Sequence, residues 1–372
     1  MSALRILQVF GEPFSNGGQD SYIMNMYRHI DRERVQFDFF TPFMIRNEAM
    51  KAEVESLGGR MFAAGHPFGE DNNRYFREGI TAFLSEHPYA IVHIHSGSTY
   101  ALMIGSKVAR RCGARRVIVH SHCGGFVNLK YKLVRALSYA ALLRYPTDYF
   151  ACSHLAARWK FPTPIIKKDR YTVLKNAVDT RVFCYDEAVR AQYRRDLGLE
   201  DKLVVGHIGR FAVQKNHRYL LEVFAALAKK EPRAHLVLVG YGDLQQQTLD
   251  RAEELGLGDR LTFLGVRRDV SALMNAFDVF LLPSFFEGLP VVGVEAQATG
   301  LPVVTSTGVT QELPIDDLAT YIPLTDTPDL WAEQVMKSAA LPRRNTTEEI
   351  IACGYDVQVA AARMQHLYEE MN

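Results

Sequence analysis

Two glutamates stand eight positions apart in the segment FFEGLPVVGVEAQATGLPVV, residues 285–304. Both are suited to hold hydroxyl groups of a ligand, because an ionised carboxylate accepts two such hydrogen bonds well. Pro290 suits an early helix position, where its missing N–H costs nothing, and Gly300 suits the position just after a helix. We therefore expect Glu287 to precede a helix and Glu295 to lie inside it. Two acids at this spacing are also typical of a solvated helix face, but Glu295 has small apolar neighbours and so needs a partner.

Two cations follow an apolar run earlier in the same half of the chain. The run LVVGHIGR ends at Arg210, Lys215 follows in the next loop, and no acid stands near them in the sequence. Such cations suit a diphosphate, although an ordinary solvated loop is the alternative for Lys215. A helix start also offers free N–H donors to phosphate. Because a carboxylate repels phosphate, we expect the two glutamates to bind neutral hydroxyl groups on either side of that phosphate. A ligand with a sugar, a diphosphate and a ribose satisfies all of these groups.

Glycines mark three further loops that follow apolar runs. Gly17 and Gly18 stand just ahead of a helix, where bare backbone N–H groups approach an anion closely, although an ordinary turn is an equal alternative. The spacing is not G-x-G-x-x-G, which disfavours an NAD site. Gly240 and Gly242 allow close approach of the backbone to a flat ligand, and the loop at Val266 offers main-chain contacts to a base.

Histidines occur in pairs at the ends of two predicted strands. His93 and His95 end one run, and His120 and His122 end the next. Alternation places His120 and His122 on the same side of their strand, with His122 nearer its carboxyl end. His122 is the better candidate for function, because histidine donates to or exchanges protons with a ligand near neutral pH; a structural role is the alternative. No carboxylate pattern accompanies the pairs, so we expect no metal site.

These residues are positioned by apolar β-rich runs that alternate with helix-length amphipathic stretches, the pattern of parallel α/β units. At 372 residues the chain is long enough for two domains of roughly 150–200 residues each. We expect a first domain over residues 1–178 and a second over 179–355, with a C-terminal helix of about 356–372 packed back on the first. Because ligands bind at the carboxyl ends of strands in such sheets, the two domains are expected to face each other across a deep cleft.

The predicted strands are nearly continuous apolar runs, as expected when helices cover both faces of a parallel sheet. In the first half they span residues 4–10, 37–42, 59–64, 91–96, 116–122, 148–153 and 171–176, and in the second half 203–210, 234–240, 261–265, 279–284 and 301–306. A helix over 185–199 leads into the second sheet, and the stretch 350–372 has helical periodicity.

Bulk properties argue against several classes of protein. A net charge of +1 offers no field that would attract nucleic acid. The five cysteines are odd in number and lack C-x-x-C spacing, which argues against a disulfide framework or a zinc site. The N-terminus lacks a signal-peptide pattern, and no uncharged apolar run reaches the ~18 residues of a membrane span. We therefore expect a cytoplasmic protein.

Two segments of the first half combine basic and apolar residues. They are KVARRCGARR, residues 107–116, and LKYKLVRALSYAALLRY, residues 129–145. The second segment predicts a helix that lies on an anionic membrane surface near a lipid-linked acceptor. An amphipathic helix packed on the sheet with a solvated basic edge is an equal alternative.

The motifs together resemble the family-4 retaining glycosyltransferases. The segment from Glu287 to Glu295 looks like the E-x₇-E signature of that family, GRFAVQKNHRYLL resembles its donor-phosphate segment, and VLKNAVDTRVF resembles its interdomain stretch. VIVHSHCGG and the N-terminal glycine loop also fit, so the resemblance covers nearly the whole chain. It is nearest to the bacterial branch that makes capsular polysaccharides and exopolysaccharides.

The resemblance implies a GT-B fold, two Rossmann-like domains around a cleft, with a nucleotide-sugar donor, usually a UDP-sugar, and no metal or other cofactor. By motif position, Arg210 and Lys215 neutralise the leaving diphosphate, Glu287 holds the donor sugar, Glu295 holds the ribose, and His122 lies beside sugar and acceptor. The implied donor-binding set also includes Gly18, Gly240, Gly242, Val266, Gly288, Leu289, Pro290 and Val291.

The implied reaction moves a hexose-type sugar to a glycan or lipid-linked glycan with retention of configuration. No residue is placed as a covalent nucleophile, so we expect front-face transfer in which the leaving diphosphate takes the acceptor proton. Two departures from the family pattern occur at Gln19-Asp20 and at Lys175-Asn176-Ala177; the first weakens inferences about the acceptor side. An epimerase of the same fold, or a non-catalytic two-domain binding protein, is the alternative.

Overall fold

Each of the twelve predicted apolar runs forms a strand in the computed structural model, which describes residues 3–14, 18–69, 71–122 and 129–372. The chain divides into two units, Met1–Ala177 with Val357–Asn372, and Val178–Asp356. The expected boundaries, 1–178 and 179–355, differ from these by one residue at each junction. Each unit is built around a parallel sheet covered by helices, because strands that are buried on both faces need helices on both sides.

The sheet of the first unit has seven strands among the described residues, in the order β3-β2-β1-β4-β5-β6-β7. They are β1 (Leu4–Phe10), β2 (Val35–Phe43), β3 (Arg60–His66), β4 (Ile91–His95), β5 (Arg116–Ser121), β6 (Asp148–Ala151) and β7 (Thr172–Val173). All pair in parallel. The order reverses between β1 and β4, and the carboxyl ends of strands on either side of such a switch point are where these sheets bind ligands.

The helices of the first unit include one from the far end of the chain. They are α1 (Gly18–His29), α2 (Glu48–Ser56), α3 (Asn72–Glu86), α4 (Thr99–Arg111), α5 (Leu129–Arg144), α6 (His154–Lys160), α7 (Thr163–Lys167) and α15 (Val357–Glu370). Helix α15 packs through Met364 and Tyr368 into the core that also holds Phe37 and Ile91. The C-terminal chain therefore completes the core of the first unit.

The second unit has a six-stranded parallel sheet among the described residues, in the order β10-β9-β8-β11-β12-β13. The strands are β8 (Leu203–Ile208), β9 (Ala234–Val239), β10 (Leu261–Phe263), β11 (Val279–Leu282), β12 (Val303–Ser306) and β13 (Ala319–Ile322). This is the strand order 3-2-1-4-5-6 of a doubly wound dinucleotide-binding fold. Strand β13 was not predicted, because it is a four-residue edge strand, only partly buried, that forms no long apolar run.

The helices of the second unit are α8 (Glu187–Asp196), α9 (His217–Lys230), α10 (Gln245–Glu254), α11 (Val270–Ala276), α12 (Val291–Ala298), α13 (Pro328–Ala339) and α14 (Thr347–Ala352). Helix α15 lies close to the predicted C-terminal helix of about 356–372, and the stretch with helical periodicity, 350–372, is divided between α14 and α15. Gly354 adopts φ +72° between α14 and α15, and a left-handed residue ends a helix. In the described part of the chain, none of the helices has both the length and the apolarity of a bilayer span.

Candidate functional site

The switch point of the second sheet lies between β8 and β11, which are neighbours. Arg210 and Lys215 follow β8, and Glu287 follows β11. The fold therefore brings the predicted cations and the first predicted glutamate to the same edge of the sheet, where parallel sheets of this order bind their ligands. Gly206 supports this junction, because a side chain there would collide with the ring of Phe277.

Glu287 and Lys215 form a largely enclosed ion pair. Lys215 Nζ lies 2.8 Å from Glu287 Oε1, and their side chains are only 14% and 11% exposed. Ser284 Oγ donates to Oε1 at 3.2 Å, and Gln214 Nε2 donates to Oε2 at 2.8 Å. An ionised carboxylate has about four acceptor sites, so three of them are filled and Oε2 keeps one for a ligand hydroxyl.

The backbone around Glu287 is fixed by the loop that follows β12. Glu287 pairs with Val309 as an isolated parallel bridge. Gly308 lies so close to this segment that a Cβ there would stand 2.1 Å from the carbonyl oxygen of Phe285. Only glycine fits that approach, so the loop after β12 sets the position from which Glu287 reaches Lys215.

Arg210 is held much less firmly than Lys215. Its side chain is 67% exposed, and its guanidinium lies 4.0 Å from the carboxylate of Asp243, which is 95% exposed. A pair of this kind contributes little to stability, so the guanidinium can turn toward an anion. No acid stands near these two cations in the sequence, but folding brings Glu287 to Lys215 and Asp243 to within 4.0 Å of Arg210.

Gly240 and Gly242 allow two loops of the second unit to approach each other closely. Gly240 has φ +138° and a Cβ there would lie 2.0 Å from Gly209 O, while Gly242 has φ +154° and a Cβ there would lie 2.3 Å from Phe211 O. The close approach is therefore between the loop after β9 and the loop after β8, rather than one that a flat ligand requires. These glycines hold the backbone on either side of Arg210, and their part in donor binding stays a prediction.

Helix α12 begins at the switch point without a side-chain cap. Pro290 is its N-cap residue and makes no capping hydrogen bond, and Val291 at the first helical position is only half-buried. The helix ends at Ala298, and Gly300 follows the C-cap residue Thr299 with a φ of +64°. The first N–H groups of a helix have no partner within it, so this end is suited to a phosphate. Gly288 and Leu289 form the buried approach to it.

Glu295 lies one turn inside α12, as predicted, and part of its surface is accessible. Burial raises the pKa of its carboxyl to about 7, and the positive charge of Lys215 lowers it less strongly. Lys215 therefore acts on both glutamates. Near neutral pH the Glu295 carboxyl is poised between its neutral form, which burial favours, and the ionised form that accepts two hydroxyl hydrogen bonds.

The remaining predicted donor residues lie in loops or at a helix end. Val266 is 65% exposed in the loop after β10. Gly18 is the first residue of α1 rather than a residue ahead of it, and a Cβ there would meet nothing within 4 Å. No packing among the described residues therefore requires glycine at position 18. Gly17 lies outside the described residues.

The four strand histidines of the first unit form one buried cluster. His122 follows β5 directly and is 9% exposed, whereas His93, His95 and His120 are 0% exposed. The rings of His120 and His122 stack at 4.0 Å, which confirms that they share one side of the strand. His95 Nδ1 and His122 Nε2 are 2.8 Å apart. Burial lowers the pKa of His122 to about 3, so its imidazole is neutral near pH 7.

Three of the histidines converge, because ligand atoms of His93, His95 and His120 lie within 4.8 Å of one another. Most of their nitrogens are nevertheless engaged in hydrogen bonding, and His120 Nε2 is the one that has no partner among the described residues. Both nitrogens of His93 and both of His95 have partners. A metal there would break those bonds and bury charge without a carboxylate, so the absence of a metal site stays our prediction.

A cavity of about 550 Å³ lies beside the loop that carries Lys215, but none of the predicted donor residues lines it. It is bounded by Ala212, Val213, Asn216, His217, Arg218, Leu244, Gln247, Thr248, Asp250, Arg251, Glu254 and Phe285. Its walls carry acids and bases in similar number, which gives no preference for a diphosphate. We place the candidate site at the switch point rather than in this cavity.

Some residues of both sites carried no signal in the sequence. Gln214 and Ser284 bind Glu287, yet they look like ordinary loop residues. Gln8 and Tyr368 join the histidine cluster from positions 360 residues apart. A polar residue in the otherwise apolar strand LRILQVF was the one available indication for Gln8.

Comparisons with known proteins concern the family and the fold of the chain. The sequence model of the family described as "Glycosyl transferases group 1" matches residues 202–339. The chain is 32% identical to the putative glycosyltransferase EpsF of Bacillus subtilis, over 99% of this chain and 97% of EpsF. It is 29% identical to an Escherichia coli enzyme named UDP-Gal:alpha-D-GlcNAc-diphosphoundecaprenol alpha-1,3-galactosyltransferase, over 72% of this chain and 65% of that one.

Among solved structures, Anabaena HepE in complex with UDP superposes with a TM-score of 0.74 at 18% identity, covering 98% of this chain and 100% of HepE. At that identity the likeness concerns the fold, which is the GT-B arrangement of two parallel-sheet units. The match to EpsF covers nearly the whole length of both chains, so the likeness to glycosyltransferases is found in the sequence as well as in the fold. This chain therefore belongs to the group 1 glycosyltransferases, which are of the family-4 type with a GT-B fold.

Proposed function

We propose that this glycosyltransferase moves a hexose-type sugar from a UDP-sugar to a glycan or lipid-linked glycan during capsular polysaccharide or exopolysaccharide synthesis. The observation that carries the donor half is the enclosed Lys215–Glu287 pair at the uncapped start of α12. The UDP complex of HepE supports the nucleotide. The names of EpsF and of the Escherichia coli galactosyltransferase support the acceptor class and pathway.

In this proposal each charged group binds one part of the donor. Lys215 and the exposed Arg210 bind the diphosphate, together with the N–H groups at the start of α12. Glu287 uses its remaining acceptor site for a hydroxyl of the transferred sugar, and Glu295 accepts from the ribose. Because Lys215 also pairs with Glu287, it fixes the distance between the phosphate and the sugar.

Transfer proceeds with retention, on the face of the sugar from which the diphosphate leaves. The acceptor oxygen forms a bond to the anomeric carbon while the bond from that carbon to the diphosphate oxygen breaks, and the acceptor proton passes to the departing phosphate oxygen. Lys215 and Arg210 stabilise the negative charge that develops there. Electrostatic stabilisation of this kind is often the largest single contribution to catalysis. Because these cations carry the charge compensation, the proposal requires no metal ion.

Helix α5 suggests where the acceptor side meets a lipid surface, on the cytoplasmic face of the membrane. Leu133 and Leu137, one turn apart, are 59% and 72% exposed, and the exposed cations Lys132 and Arg144 lie on the same helix. An apolar strip bordered by cations is typical of a helix that lies on an anionic bilayer. The segment 107–116 contributes less, because its residues Arg110 and Arg116 already bind other parts of the unit.

We expect the protein to sediment with anionic liposomes at low salt. The double substitution Leu133→Ser with Leu137→Ser should weaken that binding by about tenfold, because the bilayer would bury both leucine side chains and this burial supplies much of the binding free energy. Leu330→Ser is the matched control, because Leu330 is 48% exposed on the second unit. Absence of liposome binding by the wild type would remove the membrane proposal and leave the transfer reaction unaffected.

The transfer proposal is tested by incubating the protein with a panel of UDP-sugars in the presence of a metal chelator, and measuring released UDP with and without lipid-linked saccharide acceptors. We expect release with one donor, at least tenfold faster with an acceptor. A changed sugar nucleotide without any acceptor would indicate an epimerase instead. No release and no binding of any nucleotide-sugar would overturn the proposal.

A further inference from the structure

Behind His122 lies a continuous chain of hydrogen bonds that joins six side chains of the first unit. Five of them are 0% exposed, and His122 alone reaches the surface at 9%. In order, the chain contains His122, His95, Gln8, Tyr368, His93 and His120. Each neutral imidazole has one donor and one acceptor nitrogen, so fixing one proton in this chain fixes all the others.

The hydroxyl of Tyr368 supplies that fixed point. It lies 2.6 Å from His93 Nδ1 and 3.2 Å from Gln8 Nε2. A hydroxyl has one proton, and hydrogen bonds donated by O–H are shorter than those donated by N–H. The short contact is therefore the one in which Tyr368 donates to His93, and the long contact is the one in which it accepts from the amide of Gln8.

The protons on the arm toward His122 follow from this assignment. Since Gln8 directs its NH₂ at Tyr368, its Oε1 faces His95 Nε2 at 2.8 Å and must accept from it. His95 then carries its proton on Nε2 and offers a bare Nδ1. His122 must donate to that atom from Nε2, across 2.8 Å. The remaining nitrogen of His122, Nδ1, is left without a proton.

The hydrogen bonds from Tyr368 through His93 to His120 are consistent with the same proton assignment. His93 accepts at Nδ1, so it carries its proton on Nε2 and donates to His120 Nδ1 at 3.1 Å. His120 is left with a proton on Nε2, which has no partner among the described residues. Burial lowers the pKa of all four histidines, which keeps each of them neutral.

We propose that Tyr368 and Gln8, acting through His95, set the tautomer of His122, so that it presents a bare Nδ1 as a hydrogen-bond acceptor. These are positioning residues, which lie in β1 and in α15, 360 positions apart in the sequence. Where the proposed function holds, Nδ1 of His122 accepts a hydrogen bond from a hydroxyl group of the donor sugar or of the saccharide acceptor. His122 then orients a hydroxyl group and does not act as a cationic acid.

The direct test is the tautomeric state of His122 in the ligand-free protein, measured by long-range proton–nitrogen NMR on a sample labelled with ¹⁵N-histidine. The chain has 12 histidines, so the His122 signals are assigned by comparison with His122→Gln. We expect a neutral ring with the proton on Nε2. A proton on Nδ1, or a charged ring at pH 7, would overturn the proposal whatever the enzyme's activity proves to be.

Tyr368→Phe tests the origin of the effect. Without the hydroxyl, the NH₂ group of Gln8 loses its hydrogen-bond acceptor, and the amide can rotate. Rotation would reverse the direction of the hydrogen bonds from Gln8 through His95 to His122. We therefore expect both tautomers of His122 to appear. Tyr22→Phe is the matched control, because the Tyr22 ring also packs against His120 and His122 while its buried hydroxyl has no hydrogen-bond partner among the described residues. Its His122 should stay as in the wild type.

The kinetic result separates positioning from folding. With an active donor, Tyr368→Phe should lower kcat/KM by about 3- to 10-fold, the equivalent of one neutral hydrogen bond, and Tyr22→Phe should change it by less than about twofold. An unchanged His122 tautomer in folded Tyr368→Phe would overturn the coupling. If no nucleotide-sugar is used, the proposed function fails, and the NMR result still decides the tautomer.

Discussion

Replacing Lys215 by alanine is expected to lower the rate of sugar transfer by about 10²- to 10³-fold, because the diphosphate loses its most firmly held cation. Glu287→Ala should have a comparable effect through the donor sugar. UDP release from the active donor, measured at saturating acceptor, checks both. Turnover near that of the wild type in either variant would sink the role of that residue.

Each single substitution is also expected to destabilise the folded protein. Lys215 and Glu287 enclose each other's charge, and removing one partner of a mostly buried pair destabilises a protein by on the order of 3 kcal/mol. Lost activity in a single variant could therefore result from unfolding of the protein instead of from loss of a catalytic group.

The double variant Lys215→Met with Glu287→Gln removes that explanation. It takes away both charges together, while the amide at position 287 can still bond with Ser284 and Gln214. We expect thermal unfolding close to that of the wild type together with loss of transfer. Recovery of both stability and activity in the double variant would contradict a role for this pair in transfer.

The second large effect concerns Glu295 and pH. Its pKa of about 7 means that the carboxylate needed for the ribose is lost as pH falls through neutrality. We expect UDP affinity, measured by calorimetry, to fall about tenfold between pH 8 and pH 6, since one pH unit below the pKa leaves about a tenth of the group ionised. Glu295→Gln should bind UDP more weakly at pH 8 and lose most of this pH dependence.

Stability should respond to the same group in the opposite direction. The folded pKa is raised from 4.5 to about 7, so the folded state binds more protons in that interval, and this group's contribution to stability decreases as pH rises through it. Glu295→Gln should therefore raise the Tm at pH 8 by roughly 2–5 °C and change it little at pH 4. Glu348→Gln, at an exposed position of α14, is the matched control and should do neither.

The strands and the donor motifs were predictable because they depend on local chemistry. Apolar runs such as LVVGHI form strands wherever helices cover both faces, and Pro290 and Gly300 fix the start and end of α12. Strand β13 was not predictable, because a short edge strand needs no continuous apolar run.

Long-range contacts were the part that the sequence could not supply. The acidic partner of Lys215 was not predictable from the neighbouring sequence. That partner, Glu287, is 72 positions away and reaches Lys215 only because β8 pairs with β11. Gly240 and Gly242 were correctly seen as places of close approach, but the approaching group is the backbone at Gly209 and Phe211. Similarly, the histidines were visible, but Tyr368, which orders them, lies in the last helix of the chain.

The measurement that tests the central claim most directly is acceptor-dependent UDP release by the wild type, by Glu287→Gln and by Arg251→Ala, all with a metal chelator present. Glu287 represents the switch-point site, and Arg251 lines the neighbouring cavity. We predict release by the wild type and by Arg251→Ala at similar rates, and a loss of at least about 100-fold in Glu287→Gln. Full activity in Glu287→Gln with loss in Arg251→Ala would contradict the account and place the donor in the cavity.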